Sequence, residues 1–261
     1  MTLPVGNRVQ VVDYETAPVG EDDEAALWTA QEGHAERLAL HAGGTLSYGL
    51  GRRRCAGVRD GLHHDACSHP DAPYCDFHTS LWACARCTGN CNRPLATCHE
   101  EHAIYLAAFA PDIIKVGVTR SWRLETRLRE QGADRGAHIA TVADGKLARQ
   151  REAAIATKLT DRVRVSTKVR GLHLSVDESV WAETLSEFDP LETFQFEYGL
   201  SLAEQPVVET LLSGTVVGVK GRILVVERGG TAYAVNLREL VGYELTETDE
   251  RALQSSFTAF E

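Results

Sequence analysis

Short stretches in which hydrophobic and polar residues alternate recur along much of the chain and predict a protein rich in β-strands. Near the N-terminus, residues 8–12 form one extended run, and two further stretches, 26–30 and 36–40, flank the pair Glu32-Gly33. A β-hairpin and a broken helix both fit this second pattern, because short apolar runs suit either structure. We favour the hairpin.

The middle of the chain predicts a hairpin followed by a helix. Residues 104–109 and 113–118 are apolar and β-prone, and a Pro-Asp pair between them is typical of a turn. Leucines then recur at helical spacing within residues 122–131, and Gly132 follows as a helix stop. A compact segment with both strands and helices is therefore expected here.

The remaining pattern adds one strand, one helix and a C-terminal group of strands. Residues 137–142 are extended in character, and residues 146–159 have a helical pattern. Three alternating runs then occur at 215–219, 223–226 and 232–235, the last two separated by a Gly-rich turn. These three runs predict a small antiparallel β-domain.

Composition is ordinary for a globular protein, with 261 residues, 43% hydrophobic and 25% charged. No apolar run of about 18 residues occurs, and no N-terminal apolar stretch follows a basic region, so neither a membrane span nor a signal peptide is expected. The chain is predicted to be cytoplasmic and monomeric.

All seven cysteines fall between Cys55 and Cys98, in a stretch with little hydrophobic periodicity. An odd number cannot pair completely as intramolecular disulfides, and clustered thiols in a reducing compartment are more often metal ligands. Because no apolar core can hold residues 55–102 together, metal ligation is the expected source of folding energy there.

The cysteine and histidine spacing predicts two four-ligand sites. Zinc prefers four N or S ligands in a tetrahedron, and a Cys-x-x-Cys or Cys-x-x-His pair is the usual half-site. The first set is Cys55, Cys67, Cys75 and His78, and the second is Cys84, Cys87, Cys91 and Cys98. Each set fills all four positions of one ion, so two structural Zn²⁺ ions are expected.

Three alternatives to this assignment remain open. The four thiolates of the second set also suit an iron–sulfur cluster, although their spacing differs from ferredoxin runs. Disulfides are a second alternative. Five further histidines can each replace a named ligand, namely His63, His64, His69, His99 and His102.

Charge is distributed unevenly along the chain. Residues 112–172 carry 14 Lys and Arg against 7 Asp and Glu, a local charge of +7 in a chain whose net charge is -10. A basic middle between acidic ends is typical of a polyanion-binding core, although a solvated charged face gives the same pattern.

The segment from residue 103 to 161 resembles the GIY-YIG endonuclease superfamily. Ala103-Ile104-Tyr105 and Lys115-Val116-Gly117 correspond to its paired strands, and Arg127 and Glu152 occupy the places of its arginine and its metal-binding glutamate. The whole chain is also similar to an uncharacterised prokaryotic domain-of-unknown-function family, through the motifs at residues 104–107, 115–119 and 130–133.

The resemblance implies phosphodiester hydrolysis with one divalent cation. Tyr105 would orient or deprotonate a water, Arg127 would hold the phosphate, and Glu152 would ligate one Mg²⁺ or Mn²⁺. Two positions depart from the superfamily, because Lys115 replaces a tyrosine and Gln131 stands where a His or Tyr is frequent. The loss of two proton-handling groups favours binding over cleavage.

Together these features predict an α+β fold with five segments. They are an N-terminal β-rich segment (1–50), a double zinc-binding module (51–102), a GIY-YIG-like α/β core with a small antiparallel sheet (103–172), a connecting segment (173–204) and a C-terminal β-domain (205–261).

The expected function is binding of nucleic acid, either DNA or RNA. If the protein is also an enzyme, the expected reaction is divalent-metal-dependent cleavage of that nucleic acid. Arginines on the core and the zinc module would contact phosphates, as would Lys115. These arginines are Arg86, Arg93, Arg120, Arg123 and Arg129. A non-catalytic zinc scaffold for protein or ribonucleoprotein partners is the alternative.

Overall fold

The structure, a computed structural model, describes residues 9–16, 24–79 and 96–247, which form two compact units. The larger-sheet unit contains residues 9–16, 24–79 and 207–247, and the smaller-sheet unit contains residues 96–206. Each unit is built around an antiparallel or mainly antiparallel sheet, and the smaller one adds most of the helices, so the predicted α+β class is confirmed.

The larger-sheet unit holds eleven strands and one short helix. These are β1 (Val9–Glu15), β2 (Ala26–Gln31), β3 (His34–Ala39), β4 (Thr45–Arg53), β5 (Val58–Asp60), β6 (His63–Asp65), β11 (Val207–Val208), β12 (Leu212–Lys220), β13 (Ile223–Arg228), β14 (Thr231–Asn236), α5 (Leu237–Leu240) and β15 (Tyr243–Glu247). The strand order is β11-β14-β13-β12-β4-β15-β1-β2-β3-β6-β5.

The N-terminal hairpin predicted around Glu32-Gly33 is confirmed. Strands β2 and β3 pair antiparallel, and the last residue pair before the turn is Gln31 opposite His34. Glu32 has φ 50° and Gly33 has φ 81°. Two consecutive residues with positive φ form the kind of two-residue turn whose twist matches that of the flanking strands.

The predicted C-terminal strands are present, but they do not form a separate sheet. Strands β12, β13 and β14 pair antiparallel in sequence, as alternation predicts. Strand β12 also pairs with β4, and β15 lies between β4 and β1, so both ends of the chain contribute to one sheet. Alternation identifies the faces of a strand but carries no information about distant pairing partners.

A continuous apolar core fills the larger-sheet unit. Its members come from the N-terminal strands, from β12 to β14 and from α5. Fully buried side chains in this cluster are Leu27, Leu212, Leu224, Leu237 and Leu240. The N- and C-terminal strands are therefore held together by packing as well as by backbone hydrogen bonds.

The smaller-sheet unit holds four strands and four helices longer than a single turn. They are β7 (His102–Phe109), β8 (Ile113–Arg120), α1 (Leu124–Gln131), β9 (Arg135–Val142), α2 (Gly145–Ile155), α3 (Val165–Arg170), α4 (Glu178–Leu185) and β10 (Glu192–Gln195). The strand order is β10-β9-β7-β8, and all three pairings are antiparallel.

The predicted hairpin of β7 and β8 is confirmed, and its residues alternate between two apolar clusters. Ile104 and Val116 pack in a cluster with residues of α2 and α4, whereas Tyr105 and Phe109 pack in a cluster with Leu128 of α1. Successive residues of a strand point to opposite faces, so α1 covers one face of this sheet and α2 the other.

The two predicted helices are present, but their bounds differ from the predicted ones. Helix α1 begins after a 3-10 turn at Ser121–Arg123 and ends at Gly132, whose φ of 68° is the left-handed conformation of a helix C-cap. The segment predicted as a connection, residues 173–204, contains α4 and strand β10, which completes the smaller sheet.

Over residues 9–16, 24–79 and 96–247, no helix is long and apolar enough to cross a membrane.

Candidate metal centre and polar site

A tight turn in the larger-sheet unit presents Cys75 and His78 on the same side of the backbone. The amides of His78 and Thr79 donate to the carbonyl of Cys75 at 2.9 and 2.7 Å, and the Thr79 hydroxyl donates to the same oxygen at 2.9 Å. The turn is local, so the Cys-x-x-His spacing is sufficient to predict this half of a metal site.

The other two cysteines reach this turn from the two ends of the β5–β6 hairpin. Cys55 follows β4 and is buried, and Cys67 follows β6. Backbone hydrogen bonds join these loops, because the amide of Cys55 donates to the carbonyl of His69 at 2.9 Å and that of Ala56 donates to Pro73 at 2.9 Å. The hairpin therefore returns Cys67 to the side of Cys55.

The four side chains form one compact donor set. The ligand atoms of Cys55, Cys67, Cys75 and His78 all lie within 4.8 Å of one another. Nδ1 of His78 is 3.4 Å from Sγ of Cys55 and 3.2 Å from Sγ of Cys75. Ligands of a tetrahedral zinc ion are separated by about 3.5 to 4 Å, so the donor set fits a metal ion such as zinc.

Backbone amides surround the sulfur atoms, as they do around metal thiolates. The amide of Cys75 donates to Sγ of Cys55 at 3.3 Å, and that of Gly57 donates to the same atom at 3.5 Å. Sγ of Cys67 accepts from the amide of His69 at 3.5 Å. Such outer hydrogen bonds orient the ligands and stabilise negative charge on sulfur.

The thiols of the site differ in acidity. Burial raises the pKa of the Cys55 thiol. Burial acts in the same direction on Cys75, but hydrogen bonds from the backbone and side chain of His78 outweigh it and lower the pKa of Cys75 to about 6. Cys75 is therefore largely a thiolate at neutral pH, which is the form that binds metals.

Two side chains anchor the site to the strands at the ends of the chain. The buried amide of Gln10, on β1, donates to the carbonyls of Gly242 at 2.9 Å and Cys55 at 3.3 Å. Arg54 donates to the carbonyl of Cys67 at 3.0 Å and pairs with Glu244 of β15 at 3.3 Å. The loops that carry the donors are thus held by β1 and β15.

The alternative histidines near this cluster have other partners. Nε2 of His64 is 2.6 Å from the carbonyl oxygen of Ala56, His63 pairs with Asp65, and His69 pairs with Asp71. In the smaller-sheet unit, Nδ1 of His102 contacts the carbonyl of Glu100 at 2.7 Å. The described donor set therefore contains His78 and none of these histidines.

The second predicted set lies mostly outside the described residues. Cys84, Cys87 and Cys91 fall in residues 80–95, as do Arg86 and Arg93. Cys98 is in a 3-10 turn at the start of the smaller-sheet unit and forms no disulfide with another described cysteine. The second zinc site and its iron–sulfur alternative stay predictions.

The smaller-sheet unit contains a polar site around the buried hydroxyl of Tyr105. Tyr105 is 1% exposed, and its hydroxyl accepts from Nε2 of Gln131 at 2.6 Å. Gly117 lies opposite it on β8, where an added Cβ would be 2.5 Å from the Tyr105 hydroxyl oxygen. The absence of a side chain at residue 117 therefore leaves the space that the tyrosine ring fills.

Arg127 and Lys115 lie in the same neighbourhood, and together with Tyr105, Gln131 and Glu152 they define the Tyr105 site. Burial raises the pKa of Tyr105, and the charge of Arg127 with the hydrogen bond from Gln131 opposes this only in part. The phenol is thus neutral at physiological pH. It can take part in hydrogen bonding but is not suited to accepting a proton.

Lys115 is a cation in an unfavourable position. Burial, followed by the positive charge of Arg127, lowers the pKa of its ammonium group from 10.5 to about 8. The carboxylates of Glu152 and Asp161 act in the opposite direction without cancelling the shift. Two positive groups that repel each other beside a hydroxyl form an arrangement that an anion would stabilise.

Glu152 borders the buried face of α2, as its helical stripe predicts, with a side chain 14% exposed. Its carboxylate accepts from Nη1 of Arg149 at 2.8 Å, whereas Arg127 pairs with Glu130 at 2.9 Å. Glu152 is therefore paired with Arg149 and not with Arg127. A divalent cation at Glu152 would compete with Arg149.

The three described arginines that are predicted to contact phosphates are paired with carboxylates on the surface. Arg120 pairs with Glu100, Arg129 with Glu125, and Arg123 shares Glu130 with Arg127. Exposed pairs of this kind contribute about 0–1 kcal/mol, so a phosphate can replace the carboxylate at small cost. Their role in binding stays a prediction.

The shifted pKa of Lys115 predicts a pH-dependent stability difference. Between pH 8 and 10.5 the unfolded chain binds more protons at this residue than the folded chain, so folding becomes more favourable as pH rises through that window. Lys115→Met should be more stable than the wild type below pH 8, on the order of 1–3 kcal/mol, and the advantage should disappear towards pH 10.5. Urea unfolding at several pH values measures this. A constant difference would contradict the shift.

Some residues of the two sites were not identifiable from sequence. Gln10 acts through long-range contacts and stands in no recognisable motif. Glu130 lies in the motif at residues 130–133, but that motif does not indicate that Glu130 pairs with both Arg123 and Arg127. Gly117 did carry a signal, because a glycine inside an apolar strand often marks a close approach by another group. Here the approaching group is the ring of Tyr105.

The chain belongs to the family described as Protein of unknown function (DUF2797), whose model matches residues 66–245. The match includes the whole smaller-sheet unit, three of the four described metal donors and strands β12 to β14. No curated protein and no solved structure gives a significant match. The resemblance of residues 103–161 to the GIY-YIG superfamily accordingly stays a prediction.

Proposed function

We propose that this chain is a structural zinc protein whose smaller-sheet unit binds nucleic acid at the Tyr105 site. The nucleic-acid part rests on one observation. Two cations, Lys115 and Arg127, lie near each other and beside the hydroxyl of Tyr105. The zinc part rests on the Cys55, Cys67, Cys75 and His78 donor set.

Zinc in the larger-sheet unit has a structural role in this proposal. Three sulfurs and one nitrogen fill all four positions of a tetrahedral ion, so no position is open for a water or a substrate. The donors come from three loops, of which Gln10 of β1 holds the one with Cys55 and Arg54, paired with Glu244 of β15, holds the one with Cys67. The ion would therefore join the loop region to the sheet.

A phosphate is the anion that best suits the Tyr105 site. Arg127 offers a planar fork of donors, Lys115 offers a point charge, and Tyr105 and Gln131 supply neutral hydrogen-bonding groups. The side chain of Lys115 forms no ion pair or hydrogen bond with any described residue, so its charge is available to a ligand. The excess of basic residues between 112 and 172 extends this potential over the unit.

The test compares two charge-removing variants with a matched control. Lys115→Gln and Arg127→Gln should each weaken binding of labelled DNA or RNA about tenfold and reduce the salt dependence by about one phosphate contact. Lys158→Gln removes an exposed lysine of the same unit, which pairs with Glu187, and should change little. Fluorescence anisotropy at two salt concentrations measures these effects.

Binding that is absent in the wild type, or equal in Lys115→Gln and Lys158→Gln, would contradict the proposal. A protein that retains zinc but binds no nucleic acid would instead favour the scaffold role for protein partners. Cleavage of the bound nucleic acid is a more specific version of the proposed function. It requires that Mg²⁺ or Mn²⁺ bind Glu152 and replace Arg149 as the partner of its carboxylate. Metal-dependent cleavage lost in Glu152→Ala would establish it.

A further inference from the structure

We propose that Trp122 is a stacking platform for an unpaired nucleobase, so that the nucleic acid bound at the Tyr105 site is single-stranded where it crosses this residue. The inference rests on the proposed function and names its substrate class. It comes from the exposure of Trp122 and from the charged side chains around it.

Trp122 lies in the 3-10 turn Ser121–Arg123, between β8 and α1, and is 70% exposed. A tryptophan has one of the largest apolar surfaces of any side chain, and folded proteins normally bury most of it. The chain on both sides is anchored, because Leu124 is buried in the core and the amide of Ser121 donates to the carbonyl of Glu101 at 3.0 Å. The ring is therefore displayed on a well-supported turn.

The edge of the indole is held in place while much of the ring stays accessible. Nε1 of Trp122 donates to Oε2 of Glu100 at 3.2 Å, and Oε1 of the same carboxylate pairs with Arg120 at 3.4 Å. The guanidinium of Arg120 lies 4.6 Å from the ring centroid, and that of Arg123 lies 5.8 Å from it. An orientation that is fixed before binding reduces the entropy lost when a base stacks.

The two arginines add charge complementarity to this platform. Successive bases of a nucleic acid are joined by phosphates, so a group that stacks a base needs cations beside it. Arg120 and Arg123 flank the ring, and their carboxylate partners are exposed or half-buried ones that a phosphate can displace. This combination of an exposed aromatic ring and arginines is typical of single-strand binding surfaces.

Glu130 links the platform to the Tyr105 site. It accepts from Arg123 at 2.7 Å and from Arg127 at 2.9 Å, so Trp122 and the proposed phosphate site are connected through adjacent side chains. One strand can therefore place a phosphate at Lys115 and Arg127 and a neighbouring base on Trp122. Inside a duplex both faces of each base are covered by stacking, so away from duplex ends only an unpaired base can use the ring.

The experiment measures the affinity of the full chain for a labelled oligothymidylate and for the same oligomer annealed to oligoadenylate. Trp122→Leu, which keeps an apolar side chain but no aromatic face, should weaken binding of the single strand about tenfold and leave duplex binding nearly unchanged. Trp122→Phe is the matched control and should retain most of the single-strand affinity. A second measurement is intrinsic fluorescence, which the oligothymidylate should quench in the wild type and much less in Trp122→Phe.

The outcomes separate this inference from the proposed function. Equal single-strand affinity in the wild type and Trp122→Leu, or equal quenching in the wild type and Trp122→Phe, overturns the platform. The proposed function still stands in that case if Lys115→Gln weakens binding. If the wild type binds neither the single strand nor the duplex, both are overturned.

Discussion

Replacing His78 with alanine is expected to abolish metal binding at the donor set of the larger-sheet unit and to lower the free energy of unfolding of this unit by about 5 kcal/mol. His78 supplies the only nitrogen of the described donor set, and its ring lies 3.2 Å from Sγ of Cys75 and 3.4 Å from Sγ of Cys55. Structural zinc contributes folding energy directly, but this unit also has its own apolar core. The loss should therefore be smaller than the complete unfolding seen when a zinc finger loses its ion.

The matched control is His63→Ala, which removes an exposed histidine from the neighbouring hairpin. His63 contacts Asp65 and lies outside the donor set. Elemental analysis should show one zinc fewer per chain in His78→Ala and no change in His63→Ala, and thermal unfolding should give the same order. Equal zinc content in the two variants would exclude His78 as a ligand. Cys98→Ser tests the second predicted ion separately.

Gly57→Ala is expected to destabilise the larger-sheet unit by about 3 kcal/mol or more and to weaken its metal binding. Gly57 has φ 71°, and a Cβ at this position would lie 2.0 Å from the carbonyl oxygen of Asp65. That oxygen belongs to the backbone, so the loop itself must move. Because the Gly57 amide donates to Sγ of Cys55 and the Cys67 amide is 3.2 Å from the same Cβ position, the movement would reach two donors.

Gly61→Ala separates the clash from the backbone strain. Gly61 has φ 59° and nothing within 4 Å of an added Cβ, so alanine there meets only the cost of the left-handed conformation, about 1 kcal/mol. Urea unfolding, together with competition for zinc by a chromophoric chelator, measures both variants. If Gly57→Ala is no worse than Gly61→Ala, the close approach to Asp65 does not restrict this loop.

The metal site was the part of the protein most accessible to prediction. The Cys75 and His78 pair is a local turn, and the grouping with Cys55 and Cys67 that the spacing suggests is the one that the structure brings together. Its support was not predictable, because Gln10 and Glu244 are about 45 and 190 residues away from the loops that they hold. No periodicity connects residues at such separations.

At the Tyr105 site, the sequence predicts which strand residues share a face but not how the helices pack on the sheet. The order of residues along β7 and β8 places Tyr105 opposite Gly117 and separates it from the face of Ile104. The ion pairs of this site are local, because Arg127–Glu130 and Arg149–Glu152 are each i,i+3 pairs within one helix. Only the packing of α1 and α2 on the sheet decides that the charges of Arg127 and Glu152 act on the buried Tyr105.

The sequence by itself determined the local elements: the hairpins of β2–β3 and β7–β8, helix α1 with its Gly132 cap, and the Cys75 and His78 turn. These follow from backbone geometry, because side-chain period and turn chemistry act over a few residues. Only the tertiary structure decided that the two ends of the chain share one sheet and that Trp122 stays exposed. Both depend on which distant surfaces bury one another, and that balance is a property of the whole folded chain rather than of any local pattern.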